Sequence, residues 1–217
     1  MSSATPPQAP PSAASGPWTA LPLFPLGTVL FPGGLLPLKV FEARYLDLIS
    51  HCLRTREPFA VVRIRQGGEL RGSGNGKTLL DSVGVLAHLQ EVDAEQPGIL
   101  RVRCTGGVRV HLGATQQRDD GLWLAEATAD PPDPTVAVPD GLRPAAEALG
   151  RAIHALAEQG HQPFLPPHQM DDAGWVANRW CEILPISSAA KQRLMALDEP
   201  VLRLQLVQDY LQGKGLL

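Results

Sequence analysis

Residues 21–49 read LPLFPLGTVLFPGGLLPLKVFEARYLDLI, and a change of hydrophobic period inside this stretch decides the fold class. Its first part mixes short apolar runs with Pro22, Pro25, Pro32 and Pro37. A proline has no amide to donate, so these positions suit strand starts, edges and bulges better than central strands. Gly33-Gly34 supplies the turn between Leu30-Phe31 and Leu35-Leu36. The period then shifts to four: Phe41, Tyr45, Ile49 and Leu53 recur on one stripe, with Leu48 and Cys52 beside it. Arg44, Asp47 and Arg54 fall on the opposite side. This pattern predicts a helix lying against a sheet, ended by Pro58.

Downstream, the period returns to two. Residues 59–65 place Val62 and Ile64 opposite Arg63 and Arg65, and further strands are expected at 83–90, 99–104, 108–112 and 123–125. Gly106-Gly107 marks a bend between Leu100, Val102, Cys104 and Val108, Val110, Leu112, with Arg101, Arg103, Arg109 and His111 facing outward. A glycine-rich stretch at 67–77 reads as a hairpin loop. The acidic, proline-rich segment ADPPDPTVAVPD (129–140) reads as a linker, and everything after it is helical in pattern. Pro144 opens one helix, Asp171 is placed as the cap of the next with Asp172 in its first turn, Ser187 caps a third and Pro200 starts the last. Upstream, residues 1–17 carry no charge and are mostly Ser, Ala and Pro, the composition of a disordered tail. The expected organisation is therefore a tail at 1–17, a β-rich domain at 18–135 and a helical subdomain at 136–217.

Composition excludes several function classes. The net charge of −3 is spread evenly along the chain, so no basic half exists to drive general nucleic-acid affinity. No apolar run approaches the roughly 20 residues that cross a bilayer, and the N-terminus lacks a basic-then-apolar leader. Cys52, Cys104 and Cys181 are odd in number and form no CxxC pair. A cytoplasmic protein with reduced thiols, no membrane contact and no cofactor is expected. The segment GSGNGKT (72–78) is not a phosphate-binding loop, because Arg71 occupies the position of the motif's first glycine. Ser187 and Lys191 are more simply a helix cap and a solvated lysine than a catalytic pair. His154, His161 and His168 straddle a proline-rich break, which argues against a shared metal.

The opening stretch, together with VGVLAHLQEV, GILRVRCTGGVRVHL, WLAEAT and WVANRWCEILPISSAAKQRLMALDEPVLRLQLVQDYL, resembles the Lon protease N-terminal domain family over residues 18–212. The resemblance implies an α+β fold: a PUA-like β pseudobarrel with a packed helix, followed by a small C-terminal helical bundle. Phe41, Glu42, Arg44 and Tyr45 match the family's FE-x-RY segment, which implies a structural role for Phe41 and Tyr45 and a surface role for Glu42 and Arg44. Lon itself also carries ATPase and Ser-Lys peptidase modules. This chain ends before either, which implies a stand-alone member that binds rather than cleaves.

A surface is then the expected site. Arg63 with Arg65, and Arg101 with Arg103, share strand faces that suit acidic peptide or phosphate. Phe31, Leu35 and Leu36 lie around turns where unfolded polypeptide could be met. With Glu42 and Arg44, these nine residues are the candidate polypeptide-binding set. The expected partner is an unfolded or partly folded polypeptide or one specific protein, with homo-oligomerisation open. Nucleic-acid binding through the Arg-bearing strands is the alternative, and a peptidase the distant third.

Overall fold

The computed structural model describes residues 17–68 and 78–217. Nearly all of the expected N-terminal tail, and most of the glycine-rich loop, lie outside the described residues. The order of elements is β1 (Trp18–Leu26), β2 (Leu35–Val40), α1 (Ala43–Thr55), β3 (Phe59–Gln66), β4 (Leu79–Leu80), β5 (Val83–Gln96), β6 (Ile99–Gln117) and β7 (Trp123–Ala129). A 3-10 turn (Asp140–Leu142) then leads into α2 (Arg143–Glu158), α3 (Ala173–Ile183), α4 (Ser188–Met195) and α5 (Pro200–Gly213).

The strands pair in the order β1-β7-β6-β5-β3, and a parallel β1–β3 pairing brings the path back to its start. The sheet is thus ring-like, but it is not the β pseudobarrel expected from the sequence. A barrel leaves no edges, whereas here β2 hangs off β6 and β4 off β3. The cause lies in β6, which serves two neighbours in succession. Its residues 100–105 pair with β2, and its residues 110–117 pair with β7. Between them, Gly106 admits the 31–34 turn: Gly33 N donates to Gly106 O at 2.8 Å and Gly106 N donates to Gly34 O at 2.9 Å. That turn has Pro32 and then Gly33 at its centre, Gly33 with φ +70°, and is closed by Gly34 N donating to Phe31 O at 2.9 Å.

Alternate strand residues feed two apolar layers. Leu21, Leu23, Ala60, Val62, Leu86, Val110, Ala125 and Ala127 cluster on one face of the ring. The larger cluster lies on the other face, beneath α1, and continues without a break into α2, α3 and α5. Strand β3 is buried on both faces from Phe59 to Val62, beyond the simple alternation read from its sequence. The helices begin much as expected. Ser187 accepts from Ala190 N, and Pro144 and Pro200 occupy first turns. The cap of α3 is Asp172 rather than Asp171, its carboxylate accepting from Gly174 N.

All three cysteines are unpaired and buried. Burial pushes the Cys52 thiol up to about 11, and those of Cys104 and Cys181 up to about 12. Since the thiolate is the reactive species, the folded protein at pH 8 should yield no fast-reacting thiol to an aromatic disulfide reagent. Addition of denaturant should release all three.

Candidate polypeptide-binding surface

One concave, largely apolar surface among the described residues lies where β1 ends and α1 begins. Phe24, Pro25 and Leu26 form one wall, Pro37, Leu38, Lys39 and Val40 of β2 the other, and Phe41, Glu42 and Tyr45 close the end. The groove holds about 220 Å³. Drug-sized ligands use roughly 300–1,000 Å³, so this space suits a side chain or two of a longer chain. Its floor is aromatic: the Phe24 and Tyr45 rings stack at 4.1 Å, and Phe59 lies 5.9 Å from Phe24. Phe41 stands at its lip with 52% of its surface exposed. Among the described residues β2 pairs only with β6, so its second edge carries no strand partner.

The FE-x-RY segment builds this lip, with Tyr45 in the core and with Phe41 and Arg44 placed opposite to their expected roles. Phe41 precedes the first helical residue, Ala43, and so escapes the buried stripe. Arg44 instead turns inward. Its guanidinium bridges Glu42 at 2.8 Å, donates to Gly121 O at 2.8 Å and lies 4.6 Å over the Tyr45 ring. The start of α1 is thereby tied to the β6–β7 connection.

The other candidates are scattered. Phe31 is fully buried and Leu36 buried, while Leu35 is half-buried at the start of β2. Arg63 is held by Asp81 at 2.6 Å, and Arg65 is exposed. Arg101 pairs with Glu95 and Arg103 with Glu91, each at 2.9 Å, on the distal β5–β6 hairpin. Lys39 also reaches Glu95, at 3.4 Å. These strand faces therefore carry paired charge rather than a cationic stripe. Only Glu42, of the nine candidates, lines the groove.

Two arginine clusters escaped the sequence reading. Arg109, expected to face outward, is 3% exposed and is clamped by Asp133, with Met195 O and Leu197 O accepting its remaining donors. Arg203 of α5 is 0% exposed. It shares Asp133 and donates to Asn178 Oδ1 at 2.7 Å and to Leu197 O. Arg179 of α3 donates to Pro32 O at 2.8 Å and Gly33 O at 2.7 Å, and pairs with Glu182 at 2.8 Å. No helix among the described residues is long and apolar enough to cross a membrane. No cluster of three or more potential metal ligands occurs among them either.

A family model described as the ATP-dependent protease La (LON) substrate-binding domain matches residues 20–213. The chain is similar to a solved Lon N-terminal domain protein from Xanthomonas campestris at 30% identity and a TM-score of 0.72, covering 89% of this chain and 99% of that one. It also resembles the N-terminal domain of a Mycobacterium avium complex Lon protease at 14% identity and a TM-score of 0.61, over 88% of this chain and 97% of that one, a likeness of fold alone. No curated protein matches.

Proposed function

As this chain belongs to the family of ATP-dependent protease La (LON) substrate-binding domains, we propose that the groove between β1, β2 and α1 is where it takes hold of polypeptide. It is a non-catalytic substrate-binding and protein-interaction module, since the matched domain is the binding one and neither the ATPase nor the peptidase. The observation that carries the choice of groove is the exposed Phe41 beside an apolar trough at the open edge of β2. An unfolded segment supplies both things such a site lacks: apolar side chains for the trough and backbone groups for the strand edge.

Within this proposal residues 18–135 carry the groove and residues 136–217 brace it, binding needs no ATP, and the partner is unfolded or partly folded polypeptide. A cytoplasmic setting belongs to the same proposal, supported by three unpaired thiols. A surface this small supports affinity of about micromolar strength, near −8 kcal/mol. Burying one Phe contributes about 1.5–3 kcal/mol, so Phe41→Ser should weaken binding by about tenfold or more. The probe is labelled, reduced and carboxymethylated lactalbumin, a chain unable to refold, followed by fluorescence anisotropy. Arg101→Ala and Arg103→Ala should leave the isotherm unchanged. The groove assignment fails if the Phe41 variant binds like wild type while the arginine variants lose binding.

A further inference from the structure

A pair of side chains from the helical half of the chain reaches the turn that leads into β2, one wall of the groove. Arg179 sits in α3, yet its guanidinium holds the carbonyls of Pro32 and Gly33, 147 and 146 residues away in sequence. Those residues form the turn whose next step is Leu35, the first residue of β2. Glu182, one turn further along α3, completes the arrangement. Its carboxylate takes the Arg179 Nη2 at 2.8 Å and rests against Gly34, where a Cβ would lie 2.2 Å from Oε1. The Arg179 cation is 1% exposed and Glu182 is the carboxylate that faces it. The rings of Phe164 and Trp175, 5.8 and 5.7 Å away, flank the same guanidinium.

We propose that Arg179 and Glu182 are a positioning pair that sets the placement of β2, and so the opening of the polypeptide groove, according to whether Glu182 carries a proton. This inference rests on the groove assignment above. A carboxylate that both packs against backbone and balances a buried guanidinium changes the local charge when it gains a proton. Ionised, it carries a charge shielded from water that Arg179 only partly balances, so the carboxylate is drawn toward solvent and the turn is held less firmly. Burial pushes the Glu182 carboxyl up to about 7, against the pull of Arg179 and Lys191. The ionisable groups around it are Arg179 and Cys181 on α3 and Lys191 on α4, whose Nζ donates to Glu182 O at 2.8 Å. The 31–34 turn brings none.

The sign follows from the raised value. In the folded chain Glu182 is protonated below about pH 7 and ionised above it. The proton is held more tightly in this buried arrangement than in a solvated one, so the firm turn, and with it the formed groove, belongs to the lower-pH state. From pH 8 to pH 6 the affinity of wild type for carboxymethylated lactalbumin is expected to rise by about fivefold, the low end of ordinary coupling between sites. The amide resonances of Gly33, Gly34 and Leu35 should titrate with a midpoint near 7 over the same range. In Glu182→Gln, which keeps the shape and the neutral charge of the protonated form, the amides should not titrate and binding should stay at the wild-type pH 6 level, independent of pH. Arg179→Lys should retain part of the pH response, because a cation still faces the carboxylate.

A folded Glu182→Gln protein whose turn amides and binding follow pH as wild type does would overturn the inference while leaving the groove standing. Turn amides that titrate as expected, alongside a Phe41→Ser protein that binds normally, would overturn the groove assignment and with it the functional part of the inference.

Discussion

Asp133→Ala is expected to destabilise the protein more than any other single truncation of a side chain. One carboxylate serves two guanidinium groups, those of Arg109 from β6 and Arg203 from α5, both almost completely shielded from water. Their other donors go to Asn178 and to the carbonyls of Met195 and Leu197 at the end of α4. These partners satisfy hydrogen bonds but supply no negative charge. Removing Asp133 leaves two buried cations side by side with neither paired, and breaking a buried pair from one side costs about 3–5 kcal/mol. For a chain of this size each kcal/mol shifts the melting midpoint by about 2–4 °C, so a fall of roughly 10 °C is expected in thermal unfolding followed by circular dichroism. Arg143→Ala, which breaks the exposed Arg143–Asp140 pair, is the control and should leave the midpoint where it is. A native-like midpoint for Asp133→Ala would mean that the cluster is solvated in solution.

Gly106→Ala should come second. A Cβ at this position would lie 2.1 Å from Phe31 O and 3.0 Å from Phe31 C, both main-chain atoms that cannot swing aside. To admit a methyl group, the 31–34 turn must leave β6 and give up the two hydrogen bonds that dock it there. Overpacking of this kind costs about 1–3 kcal/mol when side chains can adjust, and occasionally more; a backbone obstacle places it at about 3 kcal/mol. The same shift moves the start of β2, so weaker polypeptide binding should accompany the lower urea midpoint. Gly98, in the exposed turn between β5 and β6, has no atom within 4 Å of such a methyl. Its φ of +80° nevertheless makes alanine there a test of backbone strain rather than of packing.

The first prediction turns on residues that the sequence does not advertise, and the reason is general. Hydrophobic period reports on one element at a time. It places α1 from the stripe of Tyr45, Leu48, Ile49 and Cys52, and the cap at Ser187 and the helix start at Pro200 are found as readily because those signals too are local. Arg109 alternates with Val108 and Val110 and so reads as solvent-facing. It is buried because the end of α4, 86 residues later in the chain, returns to cover that face. Arg179 and Arg203 are charged residues on helices, which ordinary experience puts outside. Only the tertiary arrangement supplies the carbonyls and carboxylates that allow them inside. Asp133 looked like part of a solvated linker for the same reason.

The ring-like sheet was half legible. Gly106-Gly107 announces a bend, but nothing nearby says that β6 changes partners across it, leaving β2 off the ring with an open edge. That unread step is also what creates the groove. Phe41 illustrates the remaining limit. The four-residue repeat assigns it to the core of a helix, yet the helix begins two residues later, and the ring is left at the surface beside β2. Of the nine residues put forward from sequence as a binding set, Glu42 alone reaches the groove. Arg101, Arg103 and Arg63 are spent on Glu95, Glu91 and Asp81, whose positions near them depend on how the strands pair.

The most direct test of where this protein holds polypeptide is contact itself. A photoreactive benzoylphenylalanine placed at Phe41 is to be irradiated in the presence of carboxymethylated lactalbumin, alongside the same group placed at Arg101 on the distal hairpin. The groove assignment requires a covalent adduct from position 41, suppressed by excess unlabelled lactalbumin, and none above background from position 101. An adduct from position 101 with none from position 41 would contradict it.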